Sequence, residues 1–152
     1  MPNTYTQIYI HVVFAVKGRQ NLIYKQNREQ LHKYITGIVQ ERDHKMLAIF
    51  CMPDHLHFLV GLKPRMAISD LVRDVKAGSS NFINGQHWIQ GKFCWQEGFG
   101  AFSYSRSQID YVIQYILNQE EHHQQESFRT EYVRLLEDFN ITYDEKYLFE
   151  FQ

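Results

Sequence analysis

Cysteine, proline and glycine are all scarce in this chain of 152 residues, which holds 2 Cys, 3 Pro and 8 Gly. Cys51 and Cys94 are too few for a disulfide framework, and two thiols alone do not make a zinc site. So little proline and glycine excludes a collagen-like or linker protein. Long apolar runs are missing as well. A membrane span needs roughly 18 consecutive apolar residues, and residues 8–16 are already interrupted by His11 and followed by Lys17. The N-terminus lacks a basic stretch followed by an apolar one, so no secretory signal is expected and the cytoplasm is the expected compartment. Charge of one sign is not in excess either. The formal net charge is −1, which argues against a polybasic nucleic-acid coat.

What is present is an ordinary globular composition, 44% hydrophobic and 22% charged, with 8 His, 10 Tyr and 11 Phe. The length predicts a single domain over residues 1–152. Charge is unevenly placed. Residues 1–92 carry 12 Lys and Arg against 6 Asp and Glu, and residues 93–152 carry 4 against 11. Such a split lets a basic half face phosphates, and it is equally what an unevenly composed solvated surface looks like.

Residues 4–16 are β-branched and aromatic and predict a strand. Asn27 is a candidate cap for a helix whose apolar residues Leu31, Ile35, Ile38 and Val39 recur at helical spacing to about Arg42. Residues 46–51 and 55–62 read as two strands of a hairpin turning at Pro53-Asp54. A helix opening near Ser69 carries Leu71, Val72, Val75 and Phe82, and Gly85 and Gly91 bracket the loop after it. Residues 93–104 read as a strand interrupted at Gly98 and Gly100. Helices follow over about 107–123 and 127–139, the second with Phe128, Tyr132, Leu135, Leu136 and Phe139 as its stripe. The last residues, with Tyr147, Phe149 and Phe151, are apolar enough to be expected to dock. The order βαββαβ followed by helices predicts an α+β, ferredoxin-like (RRM-like) fold, an antiparallel sheet with helices on one face plus C-terminal helices. That architecture hosts several functions, so it assigns none.

Four groups of residues could carry chemistry. His55 and His57 flank Leu56 in a strand, so both imidazoles project to one face and Leu56 to the other. They are a candidate pair of metal ligands, or two histidines on a sheet surface. On the helix over 107–123, setting Tyr111 at zero puts Tyr115 at about 40° and Gln119 at about 80°. Tyr115 and Gln119 then sit one turn apart at the edge of the apolar stripe. Tyr115 is a candidate nucleophile and the Gln119 amide oxygen a candidate third ligand, or both are amphipathic rim residues. His122-His123 is a weaker metal candidate, since a histidine pair near a helix C-terminus is favoured by the dipole alone. Arg73 and Lys76, beside Ser79, Ser80 and Asn81, suit phosphate contacts and equally suit an exposed helix face.

Taken together these residues lie in longer motifs: IHVVFAVKGR in the first strand, MPDHLHFLV around the histidine pair, WQEGFGAFSYS at residues 95–105, and YILNQ at 115–119 followed by His122-His123. SFRTEY and YDEKYLF near the C-terminus are also similar. The chain resembles the IS200/IS605-family transposases, the single-tyrosine HUH endonucleases. The resemblance implies a ferredoxin-like nuclease that cuts and rejoins single-stranded DNA at hairpin-marked transposon ends through a 5′-phosphotyrosine link. It implies His55, His57 and Gln119 as ligands of Mg²⁺ or Mn²⁺, and Tyr115 as the nucleophile. It also implies a homodimer in which one protomer can supply its tyrosine to the other. Three other readings compete. One is a domesticated relative acting on repetitive palindromes, and another is a non-cutting module for single-stranded nucleic acid. The third, a structural zinc protein, lacks clustered cysteines and a convincing fourth ligand.

Overall fold

The computed structural model describes residues 3–148. In chain order the elements are β1 (Tyr9–Ala15), α1 (Arg28–Glu41), β2 (Lys45–Cys51), β3 (His55–Gly61), α2 (Ile68–Gln86), β4 (Gly100–Tyr104), α3 (Ile109–Leu117), α4 (Gln119–Gln125) and α5 (Phe128–Asp138), with short 3-10 turns between some of them. The strands form one sheet in the order β2-β3-β1-β4, every neighbouring pair antiparallel. This is the βαββαβ arrangement expected from the residue pattern.

Strand alternation sorts the sheet into two faces. Leu56, Phe58 and Val60 of β3 and Val12 and Phe14 of β1 are fully buried in a core with Leu31 and Ile35 of α1 and Leu71 and Val75 of α2. Each large side chain taken wholly out of water there contributes about 1.5–3 kcal/mol. The helices α1 and α2 pass so close that a Cβ on Gly78 would lie 2.7 Å from Ile38 Cδ1. The opposite face carries His11, His55, His57 and Leu59, which the register places side by side on β1 and β3. It is covered by the C-terminal helices. Ile109, Val112 and Ile116 of α3 pack on Ala48 and Leu59. From α5, Phe128 stacks on His55 at 3.9 Å and the neighbouring Phe139 meets Phe102 at 5.0 Å. The sheet is therefore covered on both sides.

Several boundaries differ from the sequence expectation for local reasons. The ladder begins at Tyr9, paired with Gly61 and Tyr104, so residues 4–8 of the expected first strand stay outside it. Of residues 93–104 only Gly100–Tyr104 joins the sheet. Gly98 turns the chain at φ 87°, and upstream Trp95 makes a single bridge with Val16. The helix α2 continues through Gly85 and stops at His87, which takes φ 56°. The single helix expected over about 107–123 is two. Asn118 leaves helical geometry at φ −98°, ψ 25°, and Gln119 heads α4. The helix α5 is capped by Ser127, whose hydroxyl accepts from the Thr130 N–H at 3.1 Å. Tyr147, expected to dock, is 80% exposed, while Leu148 packs partly on the core. Phe149 and Phe151 lie outside the described residues. Among the described residues, no helix is long and apolar enough to cross a membrane.

Candidate active site

The face covered by α3, α4 and α5 encloses a cluster of polar side chains. His55 and His57 are buried side by side, ring centroids 5.1 Å apart, and Leu56 points into the opposite core as alternation requires. Each imidazole is fixed from behind. His55 Nδ1–H donates to Asp54 Oδ1 at 2.7 Å, and Asp54 is itself gripped by Arg19 at 2.9 Å. Burial alone would raise the Asp54 carboxyl, but His55 and Arg19 outweigh it and hold the group below its ordinary range. His57 Nδ1 lies 2.8 Å from His11 Nε2, and the two rings stack. Burial pushes His55 down to about 4, with Asp54 opposing, so the ring is neutral at physiological pH. Burial lowers His11 in the same direction.

Opposite the pair stands Glu131, fully buried on α5. Its Oε1 lies 3.1 Å from His57 Nε2, 3.1 Å from His123 Nε2 and 3.8 Å from His55 Nε2. Its Oε2 accepts from the Gln119 amide at 3.1 Å and from the Tyr115 hydroxyl. Burial works to raise this carboxyl, but His57, His123 and His55 surround it and hold it well below the usual carboxylate range, so it stays ionised. Tyr115, 9% exposed, is pushed the other way. Burial and the neighbouring Glu131 charge both raise its phenol, and Arg134 opposes them by donating to the hydroxyl at 3.0 Å. The Tyr115 ring lies 6.2 Å from His57 and 4.6 Å from His122 of the same chain.

The structure thus brings His55, His57, Tyr115 and Gln119 together. Gln119 is placed with its amide N–H toward Glu131 and its Oε1 3.1 Å from His123. The carboxylate, rather than the amide oxygen, faces the histidine pair. His123 joins the cluster, while His122 packs on the tyrosine. Tyr111 is 72% exposed and stands outside it. Arg73 and Lys76 are elsewhere, on α2. Arg73 is exposed and pairs with Asp70 and Asp74. The Lys76 ammonium donates to the carbonyls of Gln96 and Gly98, and burial lowers it to about 8.

Sequence reasoning assigned no role to Glu131, His11, Asp54 or Arg134. Glu131 did carry a signal. It falls three residues after Phe128 and four before Leu135, a charge inside the apolar stripe of α5.

The donor set fits a divalent ion. Ligating atoms of His55, His57, His123 and Glu131 all lie within 4.8 Å of one another. Two donors on one octahedral ion at about 2.1 Å stand about 3 Å apart, close to the 3.1 Å that separates Glu131 Oε1 from two of the imidazoles. His55 Nε2 is buried with no hydrogen-bond partner and lies 3.8 Å from Glu131 Oε1. Its Nδ1–H bond to a carboxylate is the outer contact that orients a ligating histidine.

An α+β sheet with a tyrosine beside a buried histidine pair defines the class of fold and site. Comparison with known proteins narrows it. The family model described as "Transposase IS200 like" matches residues 4–119, and the chain belongs to that family. It is 29% identical over 95 residues to the transposase for insertion sequence element IS200 of Salmonella typhimurium, covering 55% of this chain and 62% of the relative. It is 27% identical over 74 residues to the ISDra2 transposase TnpA of Deinococcus radiodurans, covering 49% and 53%. The matches therefore span less than two thirds of these curated relatives. Among solved structures, a Deinococcus radiodurans R1 protein described as a candidate transposase shares the fold at TM-score 0.60 and 23% identity, covering 77% of this chain and 94% of that one. A REP-associated tyrosine transposase bound to a REP hairpin does so at TM-score 0.59 and 17% identity, covering 80% and 72%. His123, Glu131 and Arg134 all lie beyond the span of the family model.

Proposed function

We propose that this protein cuts and rejoins single-stranded DNA at hairpin-marked ends, with Tyr115 as the nucleophile. The observation that carries this reading is the convergence of the Tyr115 hydroxyl and two imidazoles on one buried carboxylate, Glu131. A tyrosine in an ordinary core would not share a carboxylate with a histidine pair.

His55, His57, His123 and Glu131, with Gln119 alongside, would hold the divalent ion, which supplies charge to a non-bridging phosphate oxygen when bound. Imidazoles with one carboxylate suit Mn²⁺ better than Mg²⁺, which keeps oxygen ligands and water. Glu131 also makes the set anionic, where the resemblance implied neutral ligands only.

The chemistry required of the chain is a transesterification. Tyr115 Oη forms a bond to phosphorus as the bond from phosphorus to the 3′ oxygen breaks. One proton leaves the phenol and one joins the 3′ oxygen. The products are a 5′-phosphotyrosine and a 3′-OH, and the energy of the phosphodiester is kept for rejoining by another 3′-OH. Glu131 orients the phenol through the bond it accepts. Burial in the α3–α5 cover keeps water from competing for the phosphotyrosine. The Tyr115 ring lies 6.2 Å from His57 within one chain, which supports a site that works in cis, and a homodimer would also permit exchange of the tyrosine. DNA hairpins as partners are supported by the fold shared with the REP-hairpin complex. A groove of about 640 Å³ between α2 and residues 92–99, lined by Arg73, Lys76, Ser80, Asn81, Lys92 and Trp95, is the surface we assign to DNA.

The test is a denaturing gel with labelled single strands copied from the DNA flanking the coding sequence, plus Mn²⁺ or Mg²⁺. A heat-stable protein–DNA adduct is expected from the natural sequence and from Tyr111→Phe, and none from Tyr115→Phe. Binding without an adduct from the natural sequence would favour a non-cutting module. An adduct that survives Tyr115→Phe would mean another nucleophile.

A further inference from the structure

One charged side chain touches the tyrosine and has no part in the reading above. Arg134 lies one turn beyond Glu131 on α5, and its Nη2 donates to the Tyr115 hydroxyl at 3.0 Å. Its guanidinium stands 5.7 Å from the centroid of the Tyr115 ring. The two residues differ in access. Tyr115 is 9% exposed, whereas the Arg134 side chain is 40% exposed, so the guanidinium is the part of this pair that solvent reaches. Glu126 at 2.8 Å and Asp138 at 3.7 Å steady it. Pairs as exposed as these stabilise a fold little.

We propose that Arg134 is a catalytic residue that grips the scissile phosphate as Tyr115 attacks it and holds the same phosphate once it is joined to the tyrosine. The inference rests on Tyr115 being the nucleophile. A phosphorus placed for attack sits about 3–3.5 Å from the attacking oxygen. A donor 3.0 Å from that oxygen then meets the non-bridging oxygens without moving far. Arginine suits the task because its planar fork binds two phosphate oxygens at once and never loses its charge. The need is local. Glu126 and Asp138 flank Arg134 and Glu131 lies buried against the phenol, all in the acidic part of the chain, and an incoming phosphate meets their repulsion. Arg134 is the cation that the structure sets against them at the phenol.

The test removes the charge from each partner in turn. Initial rates of adduct formation are measured for the natural sequence, Arg134→Gln and Arg134→Lys. Each acts on a strand with an ordinary scissile phosphodiester and on one with an uncharged methylphosphonate at that position. Melting curves and Mn²⁺ binding check that the variants keep the fold. On the phosphodiester, Arg134→Gln is expected to lose on the order of 100- to 1000-fold in rate, as when a donor to a developing oxyanion is removed. Arg134→Lys should recover part of that loss. On the methylphosphonate the loss should shrink to within about 3-fold, because the charge that Arg134 meets is gone. Equal losses on both substrates would overturn the proposal, and so would no loss on either. No adduct from the natural sequence on the phosphodiester would sink the tyrosine reading and this proposal with it.

Discussion

The Tyr115 hydroxyl donates to the carboxylate of Glu131, a residue 16 positions further on and two helices away. The carboxylate that orients the phenol also faces His57, His123 and His55. One side chain therefore ties the Tyr115 phenol to the histidine cluster. It comes from α5, beyond the segment that matches the family model.

That position makes Glu131→Gln informative. Glutamine keeps the shape and two hydrogen-bonding atoms but removes the charge. If Glu131 is a ligand, Mn²⁺ affinity should fall at least about 10- to 100-fold, the usual cost of losing even an outer contact of a metal site. The free-Mn²⁺ signal in a spin-resonance titration reads this without any DNA. Melting gives a second reading. An ion that binds only the folded chain raises the melting temperature, so Mn²⁺ should stabilise the natural sequence and chelator should reverse it. Glu131→Gln should respond far less. Unchanged Mn²⁺ affinity would remove Glu131 from the ligand set.

The parts of this site that were legible beforehand are those fixed by local geometry. His55 and His57 share a face because strand side chains alternate, and the hairpin that presents them follows from two apolar runs around Pro53-Asp54. The helical spacing of Tyr115 and Gln119 put both at the edge of an apolar stripe, and both reach the cluster. What was not legible depends on pairings between distant segments. His11 meets His57 only through strand register across 46 residues, and Glu131 meets His57 across 74. No spacing rule relates such pairs. The break at Asn118 was hidden for another reason. Asparagine is tolerated inside a helix at modest cost, and it leaves one here while the amide N–H still bonds to the Gln114 carbonyl. Gln119, a candidate third ligand by sequence, sits beside a buried carboxylate, a pairing that no spacing announced, with its amide N–H toward Glu131 and its Oε1 3.1 Å from His123.

The docking of α5 depends on a residue with no side chain. A Cβ on Gly100 would lie 2.8 Å from Tyr132 Cε1 and 2.9 Å from its hydroxyl. Tyr132 is buried on the face of α5 that also carries Phe128 and Leu136. Its ring rests against the start of β4. Gly100→Ala should cost about 1–3 kcal/mol, as overpacking does, seen as a lower urea midpoint. Because α5 carries Glu131, Mn²⁺ affinity should fall with it. An unchanged midpoint would show that the Tyr132 ring has room to move aside.

On α1, His32 is expected to make folding sensitive to acid. Its Nε2 accepts the Cys51 backbone N–H at 2.9 Å, across from α1 to the end of β2, so the ring must be neutral there. Burial pushes its pKa down to about 4, the nearby Arg28 charge adds to this, and Glu29 opposes it. In the unfolded chain histidine titrates near 6.5. Between those values the unfolded state takes up a proton that the folded state refuses. The contribution of His32 is fully present above about pH 6.5 and is lost as the pH falls toward 4. The ring is only partly buried, so the loss should be about 1–3 kcal/mol rather than the full linkage value. His32→Gln retains an acceptor and does not titrate. Urea unfolding at pH 7 and pH 4.5 should therefore show a smaller drop for the variant, by about that amount. An identical drop in both proteins would mean that the acid sensitivity of the fold arises elsewhere.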